Sequence, residues 1–343
     1  MRLRYAEFFA ELAERADPHV RHGPDQQEWG ERVAADYDNV RAAKNFALDR
    51  APALAMRFLG RLTFFLWLRG GFAEGRTWVD AVLARAEGQP RELVGRVREC
   101  GSVIAERLGD IKAAARHADE AYTAFASVGD EHGMANALRE RGKVASHRGD
   151  HSGAAAVFTE LAELAERIGD RWNGAIALNT LGDLALQSGD WEQVVDLCGR
   201  SSILRRDLGD EWGSALAPCN VAIAELQLGR LSSAAASAHG ALQASMKVDA
   251  KMVVAASIDT SLLIAAALGN MREAPLLAGV SERLREELDS IRDPFEDEFF
   301  ARAVALLRES LRADAYEEAI QHGRELTLAE AAACALAATG DPD

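Results

Sequence analysis

Gly149-Asp150-His151-Ser152-Gly153-Ala154-Ala155-Ala156-Val157-Phe158, running on to Gly169-Asp170, is one rung of a ladder. The same pair stands at Gly109-Asp110, Gly129-Asp130, Gly189-Asp190 and Gly209-Asp210. The series continues at Gly229-Arg230 and, after a skip at Asp249, at Gly269-Asn270. Each step is 20 residues, and a fixed period of this kind marks a repeat architecture. Glycine suits the position just past a helix end, where a positive φ costs a residue with a Cβ about 1–2 kcal/mol. Aspartate suits the first cap of the next helix, where its carboxylate accepts backbone N–H groups at the positive helix end. Each pair therefore predicts a stop followed by a start, with about 16–18 helical residues between pairs.

The intervening segments are amphipathic with helical spacing. Ala154, Val157, Phe158, Leu161, Leu164, Ala165 and Ile168 share one face, as do Trp172, Ala175, Leu178, Leu181 and Ala185. No run alternates with period two. Alternate segments resemble each other more than neighbours do: Ala177-Leu178-Asn179-Thr180-Leu181-Gly182-Asp183-Leu184-Ala185 follows Ala137-Leu138-Arg139-Glu140-Arg141-Gly142-Lys143-Val144-Ala145 by 40 residues. The unit is thus a helix pair. Gly142 and Gly182 fall inside helices, where glycine costs about 1 kcal/mol relative to alanine; their recurrence predicts close approach of a partner helix.

The expected fold is an all-α, right-handed superhelical solenoid of about six helix pairs with helical caps. Residues 1–50 are expected to be N-terminal capping helices, 51–290 the solenoid and 291–343 C-terminal capping helices. Within the first segment, residues 1–22 predict a helix with Tyr5, Phe8, Phe9 and Leu12 on one face. Pro24 to Glu28 then predicts a helix start with Asp25 as cap, leading into one helix through Trp29, Val33, Tyr37, Val40, Ala43 and Phe46. Residues 53–88 predict a divergent first pair turning at Gly70-Gly71. Five regular pairs follow, at 91–130, 131–170, 171–210, 211–250 and 251–290, the last with Pro275 in the first turn of its second helix. After Asp293-Pro294 one helix covers 295–312, and Thr327-Leu328-Ala329-Glu330 is a capping box that opens a last one.

The 343 residues carry a net charge of −15 and contain 48% hydrophobic but only 6% aromatic residues, fitting closely packed, alanine-rich helices. The charge argues against direct nucleic-acid binding, which needs Lys and Arg to replace counterions. Cys100, Cys198, Cys219 and Cys334 form no C-x-x-C pair and read as small thiols in a reducing, cytoplasmic setting. The most apolar stretch, 58–68, is too short to span a bilayer and reads as a buried helix. No phosphate-binding loop, G-x-S-x-G or H-E-x-x-H occurs. His147 and His151 straddle a Gly-Asp joint and so do not share one helix. No catalytic, cofactor-binding or metal-binding residue is expected.

Function is therefore sought on the surface that the first helix of each pair contributes to a groove. Projection by 40 residues yields one row, Glu99, Arg139, Asn179, Cys219 and Asp259, and a second, Val103, Lys143, Asp183, Ile223 and Leu263. Glu99, Arg139, Lys143, Asn179, Asp183 and Asp259 are the candidate partner-binding residues. An asparagine amide there can pair with both a backbone N–H and a C=O.

Leu178, Leu181, Gly182, Ala185 and Gly189 match the first-helix pattern of tetratricopeptide repeats, and Val194, Cys198 and Ser201 hold the second-helix positions. Leu138, Gly142, Ala145, Gly149, Ala154, Phe158 and Leu161 match one unit earlier. The 40-residue unit and the Ala-Leu-Asn-x-Leu-Gly string resemble the MalT-like branch. Trp29…Tyr37-Asp38-Asn39-Val40-Arg41-Ala42-Ala43 resembles the opening helix of the C-terminal repeat region in large actinobacterial transcriptional regulators. These are the LuxR/MalT-like, SARP-like and cyclase-linked proteins with an NB-ARC-type ATPase, the STAND class. Trp67-Leu68-Arg69-Gly70…Glu74-Gly75-Arg76-Thr77-Trp78 is similar to their first repeat, and Glu317-Glu318-Ala319-Ile320…Gly323-Arg324-Glu325-Leu326-Thr327-Leu328-Ala329-Glu330-Ala331 to their closing segment. The resemblance implies a noncatalytic arm that senses a protein, a peptide or a small inducer for an ATPase and a DNA-binding module. This chain carries neither the ATPase motif nor a helix-turn-helix candidate, so it is expected to be either a fragment of such a regulator or a free-standing adaptor.

Overall fold

The computed structural model describes residues 2–21, 25–210, 213–247, 251–288, 290, 292 and 294–340. Pro24, Asp249 and Asp293, used above as sequence landmarks, and the side chains of Trp67, Leu68 and Arg69 lie outside what is described. The described residues form nineteen helices and no strand. In order these are α1 (Arg2–Arg21), α2 (Gln26–Ala35), α3 (Tyr37–Arg50), α4 (Pro52–Arg61), α5 (Thr63–Arg69), α6 (Phe72–Leu83), α7 (Arg91–Arg107), α8 (Ile111–Ala126), α9 (Glu131–His147), α10 (His151–Ile168), α11 (Arg171–Ser188), α12 (Trp191–Asp207), α13 (Gly213–Gln227), α14 (Leu231–Ser245), α15 (Lys251–Ala267), α16 (Ala274–Glu287), α17 (Pro294–Ser310), α18 (Ala313–Glu325) and α19 (Leu328–Thr339). They divide into two compact units, 1–177 and 178–343.

The ladder is built as its chemistry requires. Gly109, Gly129, Gly149, Gly169, Gly189, Gly209, Gly229 and Gly269 all have φ between +66° and +77°. At each, the amide of the following residue reaches back to the carbonyl five residues earlier, as Asp150 does to Ala145 at 3.0 Å and Asp170 to Ala165 at 2.8 Å; this closes the helix end. The aspartate then caps the next helix. Asp110, Asp130, Asp150, Asp170, Asp190 and Asp210 each accept the amide three residues on, at 2.9–3.3 Å. Thr327 and Glu330 form the expected capping box, and Pro275 lies in the first turn of α16.

In the first unit, α7, α8, α9 and α10 pack in sequence, and α1, α3, α4 and α6 pack beside α7 or one another. Three expectations fail here. The buried stripe of α1 is Ala6, Phe9, Ala10, Ala13, Ala16 and Val20, whereas Tyr5 and Phe8 are exposed; alanines, not aromatics, face the neighbouring helices because they allow closer approach. The helix expected through Trp29 and Phe46 breaks at Asp36, whose ψ of 11° separates α2 from α3. Asp25 precedes α2 without a side-chain capping bond, its carboxylate lying 3.7 Å from His19 Nδ1 instead. The first helix of the divergent pair is likewise split at Leu62.

Glycine contacts explain the helix-internal glycines. A Cβ on Gly142 would lie 2.6 Å from the Phe158 ring, and one on Gly182 would lie 2.3 Å from Cys198 Sγ. Gly101 sits against His117, which is 6% exposed. Burial, then the charges of Arg98 and Arg116, lowers the His117 pKa to about 4.

In the second unit α12 to α16 continue the pairs, and α18, a helix the sequence pattern did not resolve from its neighbours, packs on α16. Here the backbones themselves meet: a Cβ on Gly279 would be 2.2 Å from the Ile320 carbonyl oxygen, and one on Gly323 would be 2.1 Å from that of Leu276. Leu178 and Ala185 of α11 are buried, but Leu181, expected in the core, is only partly so.

Two predictions follow from these contacts. Gly279→Ala lowers stability by about 1–3 kcal/mol or more, because the backbone cannot yield as a side chain can. Gly240→Ala, in α14 with nothing within 4 Å of the added methyl, raises it by up to about 1 kcal/mol. Thermal unfolding of the two variants checks the opposite signs. For His117 the folded state favours the neutral ring, so its contribution is complete above the unfolded-state pKa of about 6.5 and is lost as pH falls toward 4. His117→Gln narrows the stability difference between pH 7 and pH 4.5 in urea titrations; an unchanged difference would show that His117 is not the sensor.

Candidate functional site

The six candidate residues meet two different fates. In the first unit the row is closed over. Glu99 on α7 and Arg139 on α9, expected to face an open groove, are each 1% exposed. The spacing of 40 residues does make them neighbours: Arg139 Nη2 lies 3.3 Å from Glu99 Oε1. Arg139 also donates to Glu140 Oε1 at 2.8 Å, to Asn136 Oδ1 at 3.1 Å and to Asn173 Oδ1 at 2.9 Å. Its guanidinium lies 4.9 Å from the Trp172 ring centroid and 5.9 Å from that of Phe64, and these rings meet edge-on at 5.5 Å. Lys143, the most exposed member, binds Glu140 at 3.3 Å. Burial raises the Glu140 pKa, but Lys143 and Arg139 outweigh it and hold the carboxyl below its usual range. The cluster is a satisfied buried ionic network. Its buried members are not available to a partner in this conformation.

In the second unit the row remains open. A pocket of about 230 Å³ is lined by Asn179, Cys219 and Asp259 of the first row and by Asp183, Ile223 and Leu263 of the second. All six positions that the 40-residue projection assigns to this unit thus line one cavity. Helices α11, α13 and α15 supply them at corresponding turns, because each helix restarts from the same joint. Asn220, Thr260, Gln187, Glu296, Phe299 and Phe300 also contribute. Asn220 adjoins a row member, but Glu296, Phe299 and Phe300 lie on α17, outside the repeat, where no period could reveal them.

Asp183 organises the amides. Its carboxylate accepts Nδ2 of Asn179 at 3.0 Å and Nδ2 of Asn220 at 2.6 Å. That fixes the Asn179 amide, since the flipped form would set its oxygen against the carboxylate. Asn179 Oδ1 is buried and has no hydrogen-bond partner among the described residues. Asp259 is held from behind: Arg285 Nη2 lies 2.7 Å from its Oδ2, Arg292 Nη2 lies 3.0 Å from its Oδ1, and Ser281 Oγ donates to it. Burial, with the charges of Glu296 and Asp259 adding, pushes the Cys219 thiol up to about 11 despite bonds to Ser257 and Thr260. The cysteine is therefore a neutral wall residue at pH 7. Cys100 and Cys198 are buried too, while Cys334 is half-buried.

His147 and His151 lie on separate helices, and His147 Nε2 pairs with Glu106 at 2.9 Å. Among the described residues no cluster has the make-up of a metal site, and no helix is long and apolar enough to cross a membrane.

No family model and no curated protein matches this chain. Solved structures do match. A Signal Transduction ATPase with Numerous Domains (STAND) protein with a tetratricopeptide repeat sensor, from Pyrococcus horikoshii, aligns with a TM-score of 0.62 at 12% identity over 94% of this chain. The chain spans about half of that protein, 51%. The apo form of RapI aligns with a TM-score of 0.58 at 7% identity, covering 90% of this chain and 97% of that one. A Rap protein complexed with Competence and Sporulation Factor aligns with a TM-score of 0.50 at 10% identity, covering 89% and 100%. At these identities the likeness concerns the fold, which is a tetratricopeptide-like helical repeat.

The buried network makes a testable demand. Arg139→Met strands two buried glutamates and lowers stability by about 3–5 kcal/mol. Adding Glu140→Gln returns part of that loss by removing one stranded charge. Urea denaturation of the single and double variants measures the coupling, and additive losses would mean that the pair does not interact.

Proposed function

We propose that this chain is a noncatalytic binding arm for a protein or peptide partner, and that the arm is the sensor region of a STAND-type transcriptional regulator of the LuxR/SARP and MalT-like kind. The observation that carries the binding assignment is the pocket. Six row positions from three successive repeats converge on one cavity with an unsatisfied amide oxygen inside it. Aligned helix pairs commonly present such faces to partners. The sensor context is supported by the likeness to the STAND protein's fold over 94% of this chain and by the three strings shared with actinobacterial regulators. In that setting the arm acts in the cytoplasm and biases an ATPase module rather than touching DNA itself, in keeping with the net charge of −15.

A second assignment, a free-standing adaptor unconnected with transcription, draws on a different observation. The chain covers 97% of RapI and all of the Rap protein complexed with Competence and Sporulation Factor, so a protein of this extent need not be part of a larger one. A small inducer is a further ligand class compatible with an arm of this kind.

The test is a pull-down from native extract with this chain as bait, run beside Asn179→Ala/Asp183→Asn, followed by titration of whatever purified partner is recovered. The expected result is an affinity loss on the order of tenfold or more with an unchanged Tm. A partner bound equally by both baits would move the site away from the pocket. Recovery of an ATPase or DNA-binding polypeptide would support the regulator over the adaptor.

A further inference from the structure

The pocket of the second unit is asymmetric in charge. Its lining includes three carboxylates, Asp183, Asp259 and Glu296, and no lysine or arginine. The two guanidinium groups nearest to it, Arg285 and Arg292, are committed to Asp259. Glu296 lies 3.8 Å from Arg285, its side chain 41% exposed at the rim. Counted together, three carboxylates face two guanidinium groups. Beside Asp183 the buried Oδ1 of Asn179 accepts nothing. Opposite these polar groups stand Phe299, Phe300, Leu263 and Ile223.

We propose that this pocket receives the arginine or lysine side chain of a peptide partner; the inference rests on the assignment of the chain as a binding arm. Guanidinium and ammonium groups carry donors and no acceptor, which is what an orphan amide oxygen beside a carboxylate requires. The aliphatic stem of such a side chain packs on apolar walls while its charge reaches the polar end. The ring of Phe300 already carries a guanidinium, that of Arg292, 3.3 Å from its centroid, so the wall is suited to this chemistry. An acidic side chain would meet the carboxylates, and a purely apolar one would leave Asn179 Oδ1 buried and unpaired. Size selects the peptide. A cavity of about 230 Å³ falls below the roughly 300–1,000 Å³ typical of pockets that enclose a whole small-molecule ligand, yet it holds one long side chain. The net charge of −15 steers a basic partner toward the chain from a distance.

The probe is an array of capped hexapeptides of randomised flanks whose central position is arginine, lysine, citrulline, norleucine or glutamate. Hits are re-measured in solution through quenching of Trp191, whose ring meets Phe299 edge-on at 6.3 Å, with Trp191→Phe as the optical control. The full chain should favour arginine or lysine over citrulline and norleucine by about tenfold or more, with the preference weakening as salt rises. Asp183→Asn should erase most of that preference. Glu296→Arg, at the exposed rim where folding is not at stake, should abolish it by supplying the cation internally. Selective binding that ignores central charge, or that survives Glu296→Arg unchanged, overturns the proposal while leaving the binding arm standing. Failure of every peptide to bind overturns both.

Discussion

A helix leaves backbone N–H groups unsatisfied at its start and C=O groups unsatisfied at its end, and this chain solves both problems at one two-residue joint. The glycine turns left-handed, the next amide closes the outgoing helix, and the aspartate carboxylate opens the incoming one. Because the same joint recurs every 20 residues, successive helices start in phase. Residues 40 apart then occupy equivalent turns of parallel helices. The meeting of Glu99 with Arg139, and the convergence of Asn179, Cys219 and Asp259 on one pocket, are consequences of that phase. Loss of the joint would shift a row of side chains as well as weaken one turn.

Close packing is the second condition. Gly142 admits Phe158, Gly182 admits Cys198, and Gly279 with Gly323 lets two backbones touch. Alanine does the same on α1 and α14, where Ala10, Ala13, Ala234 and Ala238 are fully or almost fully buried. The intrinsic penalty of glycine in a helix is offset by contacts that no larger residue permits.

The polar row then takes two forms. In the first unit, Phe64 and Trp172 cover it, and its charges neutralise each other through Arg139, Glu99, Glu140 and Lys143. Such a network adds little net stability over an apolar core but punishes the loss of one member. In the second unit, Asp259 is neutralised from behind by arginines of α16 and the segment after it, which leaves the pocket itself with carboxylates, amides and rings. One row position thus serves as a structural brace in one unit and as a lining residue in the other, and the neighbouring side chains decide which.

The sequence by itself determined what depends on short-range chemistry: the joints, the five regular helix pairs, the packing role of Gly142 and Gly182, and the register that places Asn179, Asp183 and Asp259 together. Its failures share a cause. The breaks at Asp36 and Leu62 fall where no glycine marks a stop, and the stripe of α1 was misjudged because alanines are weak signals beside aromatics. Burial of Glu99 and Arg139 could not be read from a periodic pattern, since it depends on Phe64 and Trp172 arriving from helices 35 residues before Glu99 and 33 residues beyond Arg139. Likewise Glu296, Phe299 and Phe300 reach the pocket from α17, which obeys no period. Only the tertiary structure decided which part of the row stays open, because that outcome rests on contacts between residues that no local rule connects.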